Sequence, residues 1–376
     1  MNEHGAPRLA ALALLGAIAT LPGPAPALAQ EPGLRVETLV AGLDTPWDLA
    51  WGPDGRIWVT ERGGRISRID PASGRVTAVG EIEVREQGEA GLMGMAFHPD
   101  FAEEPWIYLA HSYGAGGGIR NRLIRARLQN GALGPLQVLL DAIPGRANHD
   151  GARLVIGPDR LLYMTTGDAG NPADAQELGS PAGKVLRMTL DGAPAPGNPF
   201  GSRVYSYGHR NAQGIVFHPR TGDLYVSEHG PGTNDEVSRV EMGKDHGWPV
   251  VRGTCDGDVR GEREYCAAHD VVEAIATWTP TIGIAGLDYY DSARIPGWRG
   301  SLLATSLRGA TLWRLQLSAD GRAVERREAL YRGEYGRLRD VLVGPDGSVY
   351  LATSNRDGRG RPAREDDRIL RIVPGI

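Results

Sequence analysis

A histidine flanked by polar residues is the first feature of this sequence that could perform chemistry. It lies in the segment Asn148-His149-Asp150. An imidazole titrates near neutral pH, so His149 can act as a general base when a neighbouring carboxylate or amide orients its ring. His98 and His218 differ, because each stands in a His-Pro turn that recurs along the chain. The alternative for His149 is a surface loop histidine without a chemical role.

Several arginines stand just outside short β-rich runs. Arg210 precedes one run, Arg308 follows another, and Arg337 and Arg339 precede a third. Residues two apart on a strand share a face, so the Arg-Leu-Arg sequence directs both guanidinium groups the same way. Because a guanidinium matches carboxylate geometry, arginines aimed at one place would form a pocket for a polycarboxylate. The alternative is that each is an ordinary solvated or ion-paired surface residue.

A Gly-Pro turn followed by acidic residues could bind a cation. Gly230 and Pro231 precede Asp235 and Glu236 by a few residues. Calcium prefers hard oxygen ligands, and both backbone carbonyls and carboxylates supply them. The EF-hand spacing is absent, so an acidic turn without a metal is the alternative.

These residues flank a hairpin unit that recurs along the chain. In one copy, Ile215–Phe217 and Leu224–Val226 are β-rich runs on either side of a turn. The turn prolines of the six copies are 46 to 77 residues apart, at Pro53, Pro99, Pro158, Pro219, Pro296 and Pro345. Repeats of about 40 to 50 residues with several short strands are typical of propeller blades, and longer intervals carry loops. The sequence therefore predicts an all-β, six-bladed β-propeller.

A propeller would bring the candidate residues together. Loops at one face of the ring can contribute side chains from distant positions to a site at the central channel. The length of 376 residues would suit two or three domains, but repeats from Leu34 to Val373 favour one closed ring. The net charge of −5 and the pI near 6.0 provide no basic footprint, which argues against nucleic acid as a partner.

The first 29 residues have the features of a secretory signal peptide. Arg8 precedes an apolar run from Leu9 to Leu21 that is too short to span a bilayer, and Ala27-Leu28-Ala29 is a small-x-small cleavage site. We expect a signal peptide at residues 1–29 and a propeller domain at residues 30–376, with no later membrane span. An uncleaved anchor is the alternative.

Two cysteines occur in the longest interval between hairpins. Cys255 and Cys266 are eleven residues apart in a Gly- and Asp-rich segment. In an exported protein such a pair predicts a disulfide. Catalytic thiols or a metal site are the alternatives, although no CxxC motif or flanking histidine spacing supports them.

Motifs at the blade edges resemble the soluble sugar dehydrogenases that depend on pyrroloquinoline quinone (PQQ), especially the periplasmic aldose sugar dehydrogenases. The resemblance covers nearly all of the chain after residue 29, and its motifs are specific as a set rather than singly. They are Asn148-His149 with Arg153-Leu-Val-Ile-Gly-Pro-Asp159, Gly167-Asp168, Gly183-Lys-Val-Leu-Arg187, Gly208-His-Arg-Asn-Ala-Gln-Gly214, Glu228-His-Gly-Pro231, Asp235-Glu236 and Gly247-Trp-Pro249.

The resemblance implies a propeller that holds PQQ over its central channel with calcium beneath the quinone. His149 matches the general base that takes the proton of the anomeric hydroxyl. Arg210 and Asn211 match cofactor contacts, and Arg337 and Arg339 match the pair that faces the cofactor carboxylates. Calcium would act there as a Lewis acid and a template.

The resemblance also implies metal ligands. Gly230 and Pro231 match the carbonyls that hold the calcium of the cofactor. Glu236 and His246 match ligands of a further calcium, the histidine through its carbonyl.

Two positions that match cofactor contacts depart from the family pattern. Glu89 stands where glutamine is common, and a carboxylate beside an anionic cofactor is repelled unless it is protonated or paired. Arg308 stands where lysine is common, which keeps the charge and changes the reach.

Together these features predict a periplasmic quinoprotein that oxidises the anomeric carbon of aldoses to lactones. No haem attachment motif is present, so a separate molecule would accept the electrons. A calcium-dependent propeller lactonase without a redox cofactor is one alternative. A non-catalytic propeller that binds a partner or a sugar is the other, because a fold alone does not fix function.

Overall fold

The computed structural model describes residue 1 and residues 33–375, so the apolar run and cleavage site predicted within residues 1–29 lie outside the described residues. The first strand, β1 (Leu34–Val40), precedes six groups of strands, the blades. Blade 1 contains β2 (Pro46–Trp51), β3 (Ile57–Glu61), β4 (Arg65–Ile69) and β5 (Val76–Glu81). Blade 2 contains β6 (Leu92–Phe97), β7 (Trp106–Ala115), β8 (Gly118–Gln129), the short β9 (Ala132–Leu133) and β10 (Gln137–Gly145). Blade 3 contains β11 (Gly151–Ile156), β12 (Leu162–Thr166), β13 (Lys184–Met188) and β14 (Val204–Tyr207), with a 3-10 helix (Pro172–Ala175) after β12.

The remaining three blades have the same plan. Blade 4 contains β15 (Ala212–Phe217), β16 (Leu224–Glu228), β17 (Asp235–Val240) and β18 (Ala276–Trp278), with the helix α1 (Glu262–Ala268) before β18. Blade 5 contains β19 (Ile284–Tyr290), β20 (Ser301–Ser306), β21 (Thr311–Leu317) and β22 (Val324–Leu330). Blade 6 contains β23 (Leu338–Val343), β24 (Val349–Thr353) and β25 (Ile369–Pro374).

The blades close into a ring. The innermost strands β2, β6, β11, β15, β19 and β23 contact one another in that order, and β23 contacts β2. Blade 6 is completed from the other end of the chain, because β1 pairs antiparallel with β25, from Leu34 opposite Pro374 to Val40 opposite Ile369. The prediction of an all-β, six-bladed propeller is confirmed, and the six predicted hairpins are the two innermost strands of each blade.

Aromatic residues in the second strands pack adjacent blades together. Trp58 of β3 contacts Phe97 of blade 2 with ring centroids 5.1 Å apart, and Tyr163 of β12 contacts Phe217 of blade 4 at 5.0 Å. The glycine of the intervening turn lies against the aromatic ring, since a Cβ on Gly157 would be 2.6 Å from the Tyr163 ring. The recurring Gly-Pro-Asp turn is therefore a packing requirement as well as a turn signal.

A buried ion-pair cluster joins three blades across the central channel. Arg153 of β11 donates from Nη1 to Oδ2 of Asp340 at 2.9 Å and also to Asp48 of β2. Its guanidinium lies over the ring of Trp47 at 4.5 Å. We call the end of the channel at which the innermost strands begin the mouth. The loops that lead into these strands therefore meet there, and four of the six are at residues 82–91, 146–150, 208–211 and 331–337.

The long insertion between β17 and β18 carries the helix α1 and the disulfide. Cys255 and Cys266 are bonded, as the sequence predicts. Tyr265 of α1 fastens the insertion to blade 3, because its hydroxyl lies 3.1 Å from Gln176 Oε1, and it also donates to Asp245 within the insertion at 2.6 Å. The sequence pattern did not reveal this helix. Of the residues that the structure describes, none forms a helix long and apolar enough to cross a membrane.

Candidate active site

His149 lies at the mouth, in the loop between β10 and β11, with 14% of its side chain exposed. Its Nδ1 is 2.7 Å from Oδ1 of the buried Asp168. The backbone of His149 has a φ of +63°, and a Cβ on Gly167 would lie 1.9 Å from the His149 carbonyl oxygen. Glycine at position 167 therefore allows the two loops to approach closely enough for the histidine–aspartate pair to form.

The Asp168 carboxylate is held by several donors, and the backbone of Asp168 is bonded to that of Arg210. Trp248 Nε1 donates to Oδ2 at 2.9 Å, and the Gly170 amide donates to Oδ1 at 2.7 Å. The Asp168 amide donates to the Arg210 carbonyl at 2.8 Å. The Arg210 guanidinium lies 5.2 Å from the centre of the Trp248 ring. The predicted base and the predicted cofactor arginine thus both contact Asp168, the first through its carboxylate and the second through its amide.

Glu89 approaches the same loop from blade 2. Its Oε2 accepts hydrogen bonds from the His149 amide and from Asn211 Nδ2, each at 3.2 Å. Its Oε1 lies 3.3 Å from Nη1 of Arg359. The departure from the family pattern at Glu89 is therefore accompanied by an arginine partner that the sequence analysis did not identify.

The charge states of the buried groups follow from these contacts. Burial opposes ionisation of Glu89, but its neighbours, His229 when it is protonated and then Arg339, lower its pKa below the ordinary value. Burial lowers the pKa of His229 itself. At neutral pH the arginines, rather than His229, therefore keep Glu89 ionised. Burial lowers the pKa of Arg339 to about 10, at which it remains a cation near neutral pH.

A chain of hydrogen bonds connects the predicted cofactor residues. Arg339 Nη1 donates to Gln213 Oε1 at 2.7 Å, and Gln213 Nε2 donates to Asn211 Oδ1 at 3.0 Å. Asn211 in turn donates to Glu89, which also binds the His149 amide. Residues from four blades are thereby linked from the channel to the candidate base.

Arg337 and Arg308 line an open cavity beside this chain. Arg337 donates from Nε to Asp357 Oδ2 at 2.8 Å, whereas Arg308 is exposed and forms no ion pair with any residue the structure describes. The cavity has a volume of about 230 Å³. Its charged or histidine lining residues are Glu89, His229, Asp235, Arg308, Arg337 and Arg359.

The four predicted metal residues line a second, smaller cavity. Gly230, Pro231, Glu236 and His246 surround a space of about 10 Å³, which is room for one water-sized sphere. Glu236 of β17 stands directly opposite Glu228 of β16. Burial, and then the Glu228 carboxylate, raise the pKa of Glu236 well above its ordinary value.

His246, like Glu236, is a buried member of this set. It stacks on His209 with ring centroids 4.4 Å apart, and neither ring nitrogen has a hydrogen-bond partner among the described residues. Residues 33–375 contain no group of three or more His, Cys, Asp or Glu side chains arranged to hold a metal. Carbonyl oxygens would therefore have to supply much of any coordination there.

Comparison with known proteins identifies the family. The family model described as glucose/sorbosone dehydrogenase matches residues 43–370. The chain belongs to this family. Quinoprotein glucose dehydrogenase B of Acinetobacter calcoaceticus is 30% identical over an alignment that covers 99% of this chain and 97% of that protein. The dehydrogenase described here is therefore an oxidoreductase of the quinoprotein sugar dehydrogenase type, as the motif resemblance implied.

Solved structures agree with this assignment of the dehydrogenase. A glucose dehydrogenase described as a putative oxidoreductase from Thermus thermophilus is 42% identical, with a TM-score of 0.80, and covers 91% of this chain and 100% of its own. The PQQ-bound form of aldose sugar dehydrogenase from Streptomyces coelicolor is 36% identical, with a TM-score of 0.79, over 92% of this chain and all of its own.

The structure brings further residues of the dehydrogenase into the candidate site, and the sequence alone did not suggest a role for them. Asp168 and Trp248 support the candidate base, and both stand in motifs that carried the resemblance. Gln213 bridges Asn211 and Arg339 from within another such motif. Asp357 and Arg359 lie between β24 and β25, where no motif was recognised, so only the folded ring brings them to the mouth.

Proposed function

We propose that this dehydrogenase is a periplasmic, PQQ- and Ca²⁺-dependent aldose sugar dehydrogenase. It oxidises the anomeric carbon of aldoses to lactones and passes the electrons to a separate acceptor. The observation that carries the proposal is the 2.7 Å contact between His149 and Asp168, next to an arginine-lined cavity at the mouth of the propeller.

His149 is the general base in this proposal. The Asp168 carboxylate accepts a hydrogen bond from the protonated Nδ1, which leaves Nε2 unprotonated in the neutral imidazole. No residue that the structure describes bonds to this Nε2, so it is the nitrogen available to an anomeric hydroxyl. As the proton of that hydroxyl moves to Nε2, Asp168 stabilises the imidazolium that forms.

The residues at the mouth fit a compact polyanion such as PQQ. The Nε atoms of Arg210 and Arg339 and the Nε2 of His229 are buried and have no hydrogen-bond partner within residues 33–375. Buried donors without partners are costly, and an anion with several oxygens would satisfy them. PQQ bound there would supply the acceptor for a hydride from the anomeric carbon. The arginines would hold its carboxylates, and Arg210 would polarise the oxygen on which negative charge develops.

Calcium suits the cavity formed by Gly230, Pro231, Glu236 and His246. Glu228 and Glu236 are buried opposite each other, and neither forms an ion pair with an arginine or lysine in the described part of the chain. Like charges facing each other across strands destabilise a sheet, and a divalent cation between them removes that repulsion. We assign Gly230 and Pro231 to the calcium through their carbonyls, and Glu236 through its carboxylate.

The periplasmic location rests on two features. Residues 1–29 have the composition of a signal peptide. The disulfide between Cys255 and Cys266 requires an oxidising compartment to form and persist. Fractionation of expressing cells should recover the protein from the periplasm with Gln30 as its first residue, and an unprocessed cytoplasmic product would contradict the proposal.

Reconstitution tests the proposed activity. Purified protein is mixed with PQQ and Ca²⁺, its absorption spectrum is recorded before and after an aldose is added, and reduction of a dye acceptor is followed. We expect the cofactor spectrum to change on addition of sugar and the dye to be reduced. Failure to take up PQQ would remove the proposal, as would uptake without turnover of any aldose.

A further inference from the structure

A third, larger cavity adjoins the mouth on the side of blade 2. Its volume is about 780 Å³, within the range of ligand-binding pockets. Three segments line it: the loop before β6, the tip of the β7–β8 hairpin at residues 114–120, and the chain at residues 145–147. The first and third of these segments lead directly to Glu89 and His149.

The β7–β8 hairpin forms the outer wall of this cavity. Leu92, the first residue of β6, pairs with His111, yet β7 continues to Ala115, where it pairs with Gly118 of β8. Four residues of each strand therefore extend beyond the innermost strand, which corresponds to about 13 Å. The extension turns the rim of the propeller into a trough that opens onto the mouth.

The trough is lined by unpaired positive charge. Arg85, Arg120 and Arg146 line it, and no acidic side chain does. None of the three forms an ion pair with a carboxylate in the described part of the chain. Glycines at 114, 116, 117 and 118 supply much of the remaining wall, so backbone groups are accessible between the guanidinium groups. A guanidinium not matched by a local carboxylate is available to a carboxylate or phosphate of a ligand.

Arg146 links the trough to the candidate base. A Cβ on Gly170 would be 2.7 Å from Nη1 of Arg146, and the Gly170 amide donates to the Asp168 carboxylate that holds His149. The loops on which Glu89 and His149 stand also touch, since the Glu89 amide donates to the Ala147 carbonyl at 2.8 Å. A ligand whose reacting end faces His149 could thus extend into the trough.

We propose that the trough is a subsite for the anionic group of an acidic aldose. The ligand class is a sugar with a free reducing end that carries a carboxylate or a phosphate beyond the reacting ring. This inference rests on the proposed function, because it names the substrate class of the same site. The concave shape favours a small ligand over a protein surface, and the absence of acidic lining favours an anion over a neutral sugar.

Paired substrates test the subsite in the enzyme reconstituted with PQQ and Ca²⁺. Values of kcat/KM are compared for a glucuronosyl-glucose disaccharide against cellobiose, and for glucose 6-phosphate against glucose. The first pair reports on a carboxylate and the second on a phosphate. We expect at least one acidic substrate to be preferred, and the preference to shrink as salt is raised, because exposed charges are screened.

The test variant is Arg85→Gln/Arg120→Gln, which leaves Arg146 and the base in place. We expect kcat/KM for the preferred acidic substrate to fall roughly 5- to 30-fold, mostly through KM, with neutral sugars changed less than about twofold. The control is Arg56→Gln/Arg75→Gln, which removes two arginines without ion pairs at the opposite face and should change neither ratio. If the ratio of kcat/KM for acidic and neutral substrates is the same in wild type and test variant, the subsite is overturned. A slower reaction of the variant with an acidic electron-acceptor protein would not rescue it.

Binding separates failure of the subsite from failure of the proposed function. If a neutral aldose is oxidised but acidity brings no advantage, the subsite fails and the function stands. If no aldose is oxidised, calorimetry with glucuronosyl-glucose decides the subsite alone. Binding that the test variant loses supports it, whereas equal binding to both proteins, or binding to neither, overturns it.

Discussion

Oδ1 of Asp168 lies 2.7 Å from Nδ1 of His149, and the same carboxylate accepts a hydrogen bond from Trp248. The contact selects the tautomer of the imidazole, because a carboxylate accepts from Nδ1–H and leaves Nε2 free to take a proton. In the proposed reaction, Asp168 is thus the residue that would orient His149 as the base. His149 and Asp168 are 19 positions apart in the chain, on either side of one blade hairpin.

Replacing Asp168 with asparagine should therefore impair the chemical step. The amide keeps the size of the side chain but no longer favours Nδ1–H, so kcat should fall roughly 10²- to 10⁴-fold while PQQ is still bound. Steady-state kinetics together with a PQQ titration measures both effects. The matched control is Asp174→Asn in the same loop, which makes the same change of charge away from His149. Near-normal kcat in Asp168→Asn would contradict the role of the pair.

Replacing Trp248 should reduce kcat less than replacing Asp168 does, and it should act only through Asp168. Trp248→Phe keeps an aromatic ring under Arg210 but removes the Nε1 donor to Asp168 Oδ2. An unsatisfied buried acceptor costs about 1 to 3 kcal/mol, part of which should appear as a loss of kcat of roughly tenfold. Combining it with Asp168→Asn should bring little further loss, since both changes act on one carboxylate. Additive losses in the double variant would argue against this path.

Glu89→Gln should tighten PQQ binding. Glu89 is ionised beside the cavity we assign to an anionic cofactor, and it neutralises Arg339 and Arg359. Removing its charge leaves both guanidinium groups to the cofactor, which should lower the Kd for PQQ roughly 3- to 30-fold. Arg359→Gln should act in the opposite direction. A spectroscopic PQQ titration checks both variants, with the exposed Glu103→Gln as the control, and an unchanged or higher Kd for Glu89→Gln would refute the argument.

The sequence alone predicts the fold well because its signals are local. Each turn proline between two buried runs marks the two innermost strands of a blade, and six such units imply the ring, although only three of the turns read Gly-Pro-Asp. The closure of the ring is not local. The residues near Leu34 carry no local signal for the pairing of β1 with β25. That contact forms only when the six blades together close the full circle.

The candidate site is predictable where its residues stand in motifs and not elsewhere. His149, Arg210 and Asn211 lie directly before innermost strands, so the repeat places them at the mouth. Arg359 reaches Glu89 across 270 positions of sequence, from a loop without a motif. The pattern around Glu89 identifies a departure from the family, but only the folded chain shows which arginine compensates for it.

Asp150 should make stability depend on pH. Burial raises the pKa of this residue to about 7, so the folded state binds a proton that the unfolded chain releases near pH 4. The contribution is fully present below about pH 4 and is lost as pH rises through about 7. Asp150→Asn keeps both hydrogen bonds that Oδ1 accepts, from Asn121 and from the Arg146 amide.

The Asp150→Asn variant should therefore gain stability over wild type as the pH rises. At pH 8 the gain should be on the order of 2 to 4 kcal/mol, and below about pH 4 it should vanish. Urea unfolding of the cofactor-free protein across this range measures the difference. Glu103→Gln, an exposed change of the same charge, should show no such trend, and a gain that is equal at all pH values would exclude Asp150 as its cause.

Glu236→Gln should reverse the order of stability between wild type and variant when Ca²⁺ is added. Without the metal, glutamine relieves the repulsion between the carboxyl groups at positions 228 and 236 and keeps an oxygen for the hydrogen bond from Ser238. The variant should then unfold at the same temperature as wild type or higher. With Ca²⁺ in excess, wild type gains stability in proportion to its affinity for the ion, whereas the variant has lost a charged ligand and gains little. Thermal unfolding with and without Ca²⁺ measures this reversal, with Glu103→Gln expected to follow wild type in both conditions. A loss of packing would lower the Tm of Glu236→Gln equally with and without Ca²⁺. The reversal is therefore expected only if Glu236 is a metal ligand. If both proteins gain the same stability from Ca²⁺, the ion binds elsewhere.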